Sequence, residues 1–194
     1  MITPLRAEHA RQVAALHCAT LTGLLSRLGP AAAEAFYIGC TRTPLAIGMV
    51  DVEASVVRGF VLGSLHPDLL QRDVLRKNPI GTLAAVARGI LIRPAALIWL
   101  LKSFRGPDEG GFDAATPSLV YLSVAPDYRS GGAGRQLVDA FSNAVRTAGT
   151  GGYDLSVDEG NASAIAFYER LGFQLVGHYR EFGVQHRRYR LALR

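Results

Sequence analysis

Lysine is almost missing from this chain of 194 residues. Of its 21 cationic side chains only Lys77 and Lys102 are lysine, and the rest are arginine. Cysteine is as scarce, at positions 18 and 40 only. The pair forms no CxxC and has no metal-ligand spacing, which excludes a disulfide framework and a zinc module. Both sit in apolar, helix-like surroundings, as buried thiols of a reducing compartment do. No uninterrupted apolar run approaches the ~20 residues that a membrane-spanning helix needs. The first residues, Met1 to His9, lack a basic stretch followed by an apolar core, so a secretory signal is not expected and a cytoplasmic location is. No basic stripe is interleaved with aromatic residues, which argues against nucleic acid. What remains is a chain 49% hydrophobic, within the globular range and long enough for one domain with a full core. Its net charge of +5 suits an anionic ligand.

The hydrophobic pattern alternates between two periods. Ile2–Leu5 reads as a short strand, Ala7–Leu21 as a helix with Val13, Leu16 and Leu21 among its apolar positions, and Pro30–Cys40 as a second helix. Pro30 suits a first helical position after the break at Gly29. Leu45–Val52 and Val56–Leu65 read as strands joined by the short link 53–55. Gly59 and Gly63 either weaken the second strand or admit a close neighbour. Later come strand Leu119–Val124, helix Gln136–Ala148, strand Tyr153–Val157, a helix from Asn161 ending at Gly172, and strands Gln174–Arg180 and Gln185–Leu193 about a hairpin at 181–183. The order predicts an α/β domain with a mixed sheet covered by helices on both faces.

Residues 66–116 are too long for a plain connection and should carry their own helices. Asp68–Lys77, Ile80–Ile92 and Pro94–Phe104 have helical character, and Leu83, Val86, Ala87, Ile90 and Leu91 group on one face of the middle helix. Gly106–Gly111 reads as a flexible loop. The apolar insertion can pack on the body of the domain, form the surface of a homodimer, wall an acceptor pocket or acyl tunnel, or touch a membrane peripherally.

The densest signal is Arg129-Ser130-Gly131-Gly132-Ala133-Gly134-Arg135, placed between an apolar strand and a helix. Such a turn aims backbone N–H groups and the positive end of a helix dipole at one point, where a phosphate or pyrophosphate can sit. It lacks the Gly-Lys-Ser/Thr ending of a Walker loop and the Gly-x-Gly-x-x-Gly of a dinucleotide fold. A second block follows at Asn161-Ala162-Ser163-Ala164-Ile165-Ala166-Phe167-Tyr168-Glu169-Arg170-Leu171-Gly172-Phe173. In order and spacing the two blocks resemble the acyl-CoA pyrophosphate loop and the Asn-x-x-Ala-x-x-Phe-Tyr-x-x-x-Gly-Phe helix of the GCN5-related N-acetyltransferases, the GNAT superfamily. The resemblance is tight over roughly residues 118–193 and loosest over 66–116.

The resemblance implies a single GNAT domain over residues 1–194, with a mostly antiparallel sheet and the helical insertion. It implies acetyl-CoA as acyl donor, no metal, and direct attack by a primary amine in a ternary complex. Arg129, Ser130, Gly131, Gly132, Ala133, Gly134 and Arg135 would hold the pyrophosphate, with Arg129 either touching phosphate or shaping the loop. Leu122, Ser123 and Val124 would meet the pantetheine arm through their backbone. Asn161 and Phe167 would line the arm, Asn161 also capping its helix. Tyr168 would be the general acid facing the sulfur. The strand before the loop offers Tyr121 and Ser123 where many relatives carry a glutamate. Asp158, Glu159, Glu34, Tyr37 and His66 are therefore the alternative bases or acceptor-site residues. The favoured acceptor is a small-molecule amine, such as an amino sugar or nucleotide-linked amino sugar. A peptide or protein amine is one alternative, and a non-catalytic acyl-CoA-binding regulatory domain another.

Overall fold

The computed structural model describes residues 1–103, 116–181 and 183–193. The elements are strand β1 (Ile2–Pro4), helices α1 (Ala10–Thr20), α2 (Leu24–Leu28) and α3 (Pro30–Cys40), strands β2 (Ala46–Glu53) and β3 (Val56–Ser64), helices α4 (Pro67–Lys77), α5 (Pro79–Ile92) and α6 (Ala95–Ser103), strand β4 (Ser118–Val124), helix α7 (Ala133–Thr147), strand β5 (Gly152–Asp158), helix α8 (Ala162–Arg170), and strands β6 (Gln174–Glu181) and β7 (Val184–Ala192). Proline at or beside the first helical position opens α3, α4 and α5, where its fixed φ helps and its missing N–H costs nothing.

One seven-stranded sheet runs in the order β1-β2-β3-β4-β5-β7-β6. All neighbours are antiparallel except β4 and β5. The expected helices cover both faces. On one side α7 and α8 bury Leu137, Phe141, Val145, Ile165 and Tyr168 against Tyr153, Leu155 and Tyr189 of the sheet. On the other, α1 and α3 bury Val13, Ala33 and Tyr37 against Val50, Phe60 and Leu62. At Gly63 the close-neighbour alternative holds, since the Phe141 ring fills the space that a Cβ would need.

The insertion folds as the three expected helices, with its final part, residues 104–115 including Phe104 and the loop Gly106–Gly111, outside the described residues. Leu28 and Ala32 of the body form a small core with Ala96 of α6 and with Ala85, Val86 and Ile90 of α5. The single apolar face expected of α5 divides, because its apolar residues surround the helix. Val86, Gly89 and Ile90 turn inward, while Leu83, Ala87 and Leu91 face outward. Helix α2 was not expected, since five residues are too few to show a period.

Candidate active site

Strands β4 and β5 pair at only two positions, Ser118 with Asp154 and Leu119 with Leu155, and then part. Each stays paired along its other side, β4 to β3 and β5 to β7. A shift in the β3–β4 register between Leu62 and Gly63 leaves Val120 as an extra residue on β4, a bulge at the place where the strands separate. A wedge results, with one edge of residues 120–124 free of a strand partner.

The glycine-rich loop lies at the open end of β4. After a single 3-10 turn at Pro126–Tyr128 the chain reaches Ser130 and Gly132, both at positive φ (67° and 81°). Helix α7 then starts at Ala133, earlier than the expected Gln136. The early start puts Ala133, Gly134 and Arg135 in its first turn, whose N–H groups have no partner within the helix. Among the described residues, none of the amides of 130–135 donates to a backbone carbonyl, and the first that does is Gln136, to Gly132. The space over Gly132 is open, since a Cβ there would meet nothing within 4 Å. Gly134 allows Phe167 of α8 and Val124 of β4 to close on the loop, with a Cβ there lying 3.3 Å from the Phe167 ring and 3.8 Å from Val124. These open amides at a helix start suit a pyrophosphate. The Arg129 Nε donates to the Val124 carbonyl at 3.1 Å, the loop-shaping one of its two expected roles.

The other expected site residues fall into groups. Leu122, Val124 and Phe167 pack at the margin of the α7–α8 core. Ser123 points to the opposite face, where its hydroxyl shares a 2.7 Å hydrogen bond with that of Thr20 at the end of α1. Asn161 is the N-cap of α8, its Oδ1 accepting from the Ala164 amide at 3.1 Å and from the Ser163 hydroxyl at 3.0 Å. Tyr168 is only 8% exposed and meets the rings of Phe167 and Phe173 edge-on at 5.2 and 5.4 Å. Burial pushes its phenol pKa well up, and nearby Tyr153 adds to this, so it holds its proton at neutral pH.

The alternative bases have unequal freedom. Glu159 is paired with Arg187 at 3.2 Å, and Asp158 accepts from the Gly160 amide at 2.8 Å within its own turn. Tyr37 is fully buried and shares a 2.7 Å hydrogen bond with Nδ1 of His17. His66 is exposed at the start of α4. Glu34, half-buried on α3, has no ion pair among the described residues. Sequence reasoning overlooked His17 as a site neighbour. It lies between Tyr37, Phe60 and Tyr121, its ring 4.7 Å from that of Tyr121 on β4. Burial pushes the Tyr121 phenol up to about 12, with smaller effects from Cys40 and Glu181.

A cavity of about 350 Å³ opens between the α1–α2 corner and the insertion, lined by Leu21, Ser26, Arg27, Arg93, Ala96 and Trp99. Leu21 follows Thr20 directly, so the cavity begins one residue from the Thr20–Ser123 link to β4. The Arg27 guanidinium lies 4.1 Å from the centre of the Trp99 ring, a cation–π contact. Arg93 donates to the Ser26 carbonyl at 3.2 Å. Neither arginine is paired with a carboxylate among the described residues. No cluster of three or more potential metal-ligating side chains occurs among the described residues.

A family model described as an acetyltransferase (GNAT) domain matches residues 79–175, half of the chain. A mycothiol acetyltransferase of Beutenbergia cavernae is 36% identical over 72 residues, which is 37% of this chain and 24% of that protein. The chain thus matches about a quarter of that relative's length. Among solved structures, an N-acetyltransferase from Staphylococcus aureus superposes with a TM-score of 0.66 at 13% identity, covering 98% of this chain and all of the other. Another acetyltransferase gives 0.65 at 19% identity over the whole of both chains. A chain of the NatC complex, solved with a Gag peptide and CoA, gives 0.61 at 14%, covering 100% of this chain and 98% of its own. At these identities the structural likeness is one of fold. A domain model spanning half its length, on a chain with this strand-to-helix amide loop and wedge, shows that the chain belongs to the GNAT family.

Proposed function

We propose that the chain is an acetyl-CoA-dependent N-acetyltransferase whose acceptor is a small molecule carrying a primary amine and an anionic group. The observation supporting this acceptor is the cavity of Arg27, Arg93 and Trp99. Its size is that of an ordinary small-molecule site. Two guanidinium groups without carboxylate partners favour phosphate or carboxylate there. A nucleotide-linked amino sugar carries an amine and phosphates in one molecule.

Bound in the wedge, acetyl-CoA would supply the acetyl thioester. The amides of Gly132, Ala133, Gly134 and Arg135 would hold its pyrophosphate, while the edge of Leu122–Val124 that has no strand partner would align the pantetheine arm. A β4 amide at the wedge would hydrogen-bond the thioester oxygen and stabilise negative charge as it develops. The Tyr168 hydroxyl, protonated at neutral pH, would give its proton to the departing sulfur. Glu34, which has no ion pair among the described residues, would be the candidate to accept the proton of the amine, and an amine arriving neutral needs no such help.

The test is thiol release from acetyl-CoA across amino sugars, nucleotide-linked amino sugars, polyamines, amino acids and N-terminal peptides. Anionic amines should turn over best. Arg93→Gln should raise their KM about tenfold with little change in kcat, as loss of one charged hydrogen bond does. Tyr168→Phe should lower kcat about a hundredfold while CoA affinity stays within about twofold. Preference for polyamines or peptides would reject the acceptor class, and an undiminished kcat in Tyr168→Phe would reject the acid.

A further inference from the structure

Helices α5 and α6 present large aliphatic side chains to solvent. Ile80 and Leu91 are 83% and 85% exposed, and Leu83, Ile92, Ile98 and Leu101 are each more than half exposed. On α5 the residues Ile80, Leu83, Ala84, Ala87 and Leu91 are exposed at helical spacing, so they form one stripe opposite the packed residues Val86, Gly89 and Ile90. Leu97, Ile98 and Leu101 continue the apolar exposure on α6. Soluble monomers rarely display a continuous aliphatic surface of this kind without a partner.

The charge around the stripe identifies the partner. From Val74 to Leu101 the sequence has no carboxylate, yet it carries Arg76, Lys77 and Arg88 beside the stripe. Arg76 and Lys77 stand exposed just before α5, and Arg88 stands exposed one turn before Leu91 and Ile92. We propose that the outer faces of α5 and α6 dock on the surface of an anionic lipid bilayer, the aliphatic side chains entering the headgroup boundary and the arginines meeting lipid phosphates.

A second copy of the chain fits the same surface less well. A two-fold contact sets a patch against itself, bringing these cations together with no carboxylate of the segment to offset them. Anionic headgroups supply the missing charge, at about 1 kcal/mol per cation, or roughly fivefold in binding. The mode is interfacial, since no helix among the described residues is long and apolar enough to cross a membrane. Nothing in this inference depends on the acceptor.

The experiment is co-sedimentation of the full chain with vesicles of phosphatidylcholine alone and of equal parts phosphatidylcholine and phosphatidylglycerol. Binding should be at least tenfold stronger to the anionic vesicles and should weaken with salt. Arg76→Gln and Arg88→Gln should each weaken it about fivefold. The double variant Leu83→Glu/Leu91→Glu should abolish it while the melting temperature and CoA affinity, measured in parallel, stay unchanged. Absence of binding to either vesicle, or equal binding to both, would overturn the proposal. So would a dimer in sedimentation equilibrium that the same double variant dissociates.

Discussion

His17 shows how burial alone can set a residue's chemistry. It is 1% exposed, and burial lowers its pKa from 6.5 to about 4. The folded chain therefore keeps it neutral where the unfolded chain would protonate it. Between pH 6.5 and 4 the unfolded state binds more protons, so stability falls as pH drops through that window. At pH 5 the loss relative to neutral pH is about 2 kcal/mol, from ~1.5 pH units at ~1.4 kcal/mol each. Denaturant midpoints at pH 7 and pH 5 check this. His17→Gln, which leaves Tyr37 a partner, should flatten the dependence, and a variant with the full pH slope would rule His17 out as its source. None of this is visible in the sequence, where His17 is one polar residue on a helix of moderate periodicity. Asn161 is the opposite case. A cap residue ahead of an apolar helical run is legible from residue type and position, and the structure adds only its hydrogen bonds.

Among elements, the loop from Ser130 to Arg135 makes the sharpest prediction. Gly132 has φ 81°, a conformation that costs other residues about 1 kcal/mol, while Gly131 carries no such requirement. Gly132→Ala should lower the melting temperature by a few degrees and weaken CoA binding severalfold, because the first-turn amides of α7 lose their aim. Gly131→Ala should leave the melting temperature unchanged, since its Cβ would meet only the Tyr128 carbonyl, at 3.9 Å. Thermal melts and calorimetric titration with CoA decide the matter, and equal behaviour of the two variants would refute it. Most elements were readable at this scale because their periods are strong, and the loop because glycine spacing between a strand and a helix has few uses. The division of α5 was not readable. A helix apolar on all sides carries no periodic sign of which side meets the body. The start of α7 was misjudged because Ala133, Gly134 and Arg135 lack the apolar period, although Gly132 frees them to begin the helix.

At the scale of the whole molecule, the site exists because the sheet is nearly cut in two. Full pairing of β4 with β5 would close the wedge, so β1–β4 and β5–β7–β6 meet through two residue pairs and the helices packed across them. The junction is reinforced where it is narrowest. The Asp154 amide donates to the Pro117 carbonyl at 2.9 Å, and the Ser118 hydroxyl donates to the Asp154 carbonyl at 3.2 Å. The Asp154 carboxylate, fully buried, accepts from Arg188 Nε at 2.8 Å and from Arg190 Nε at 2.6 Å, tying β5 to β7 beside the junction. Asp154→Ala would leave two guanidinium groups without the carboxylate between them. Arg190 is half-exposed and Arg188 partly so, and water can solvate both, so the loss costs about 1–3 kcal/mol, which for a chain of this length is a fall of several degrees in melting temperature. The effect on the wedge is the more telling readout. If Asp154 supports the junction, its loss should raise amide hydrogen exchange in β5 and in the Ser118–Leu119 end of β4 well before it does so in β2 and β3. Uniform acceleration across the sheet would mean that Asp154 supplies stability alone, and that the packing of α7 and α8 across the gap is what keeps the wedge in shape.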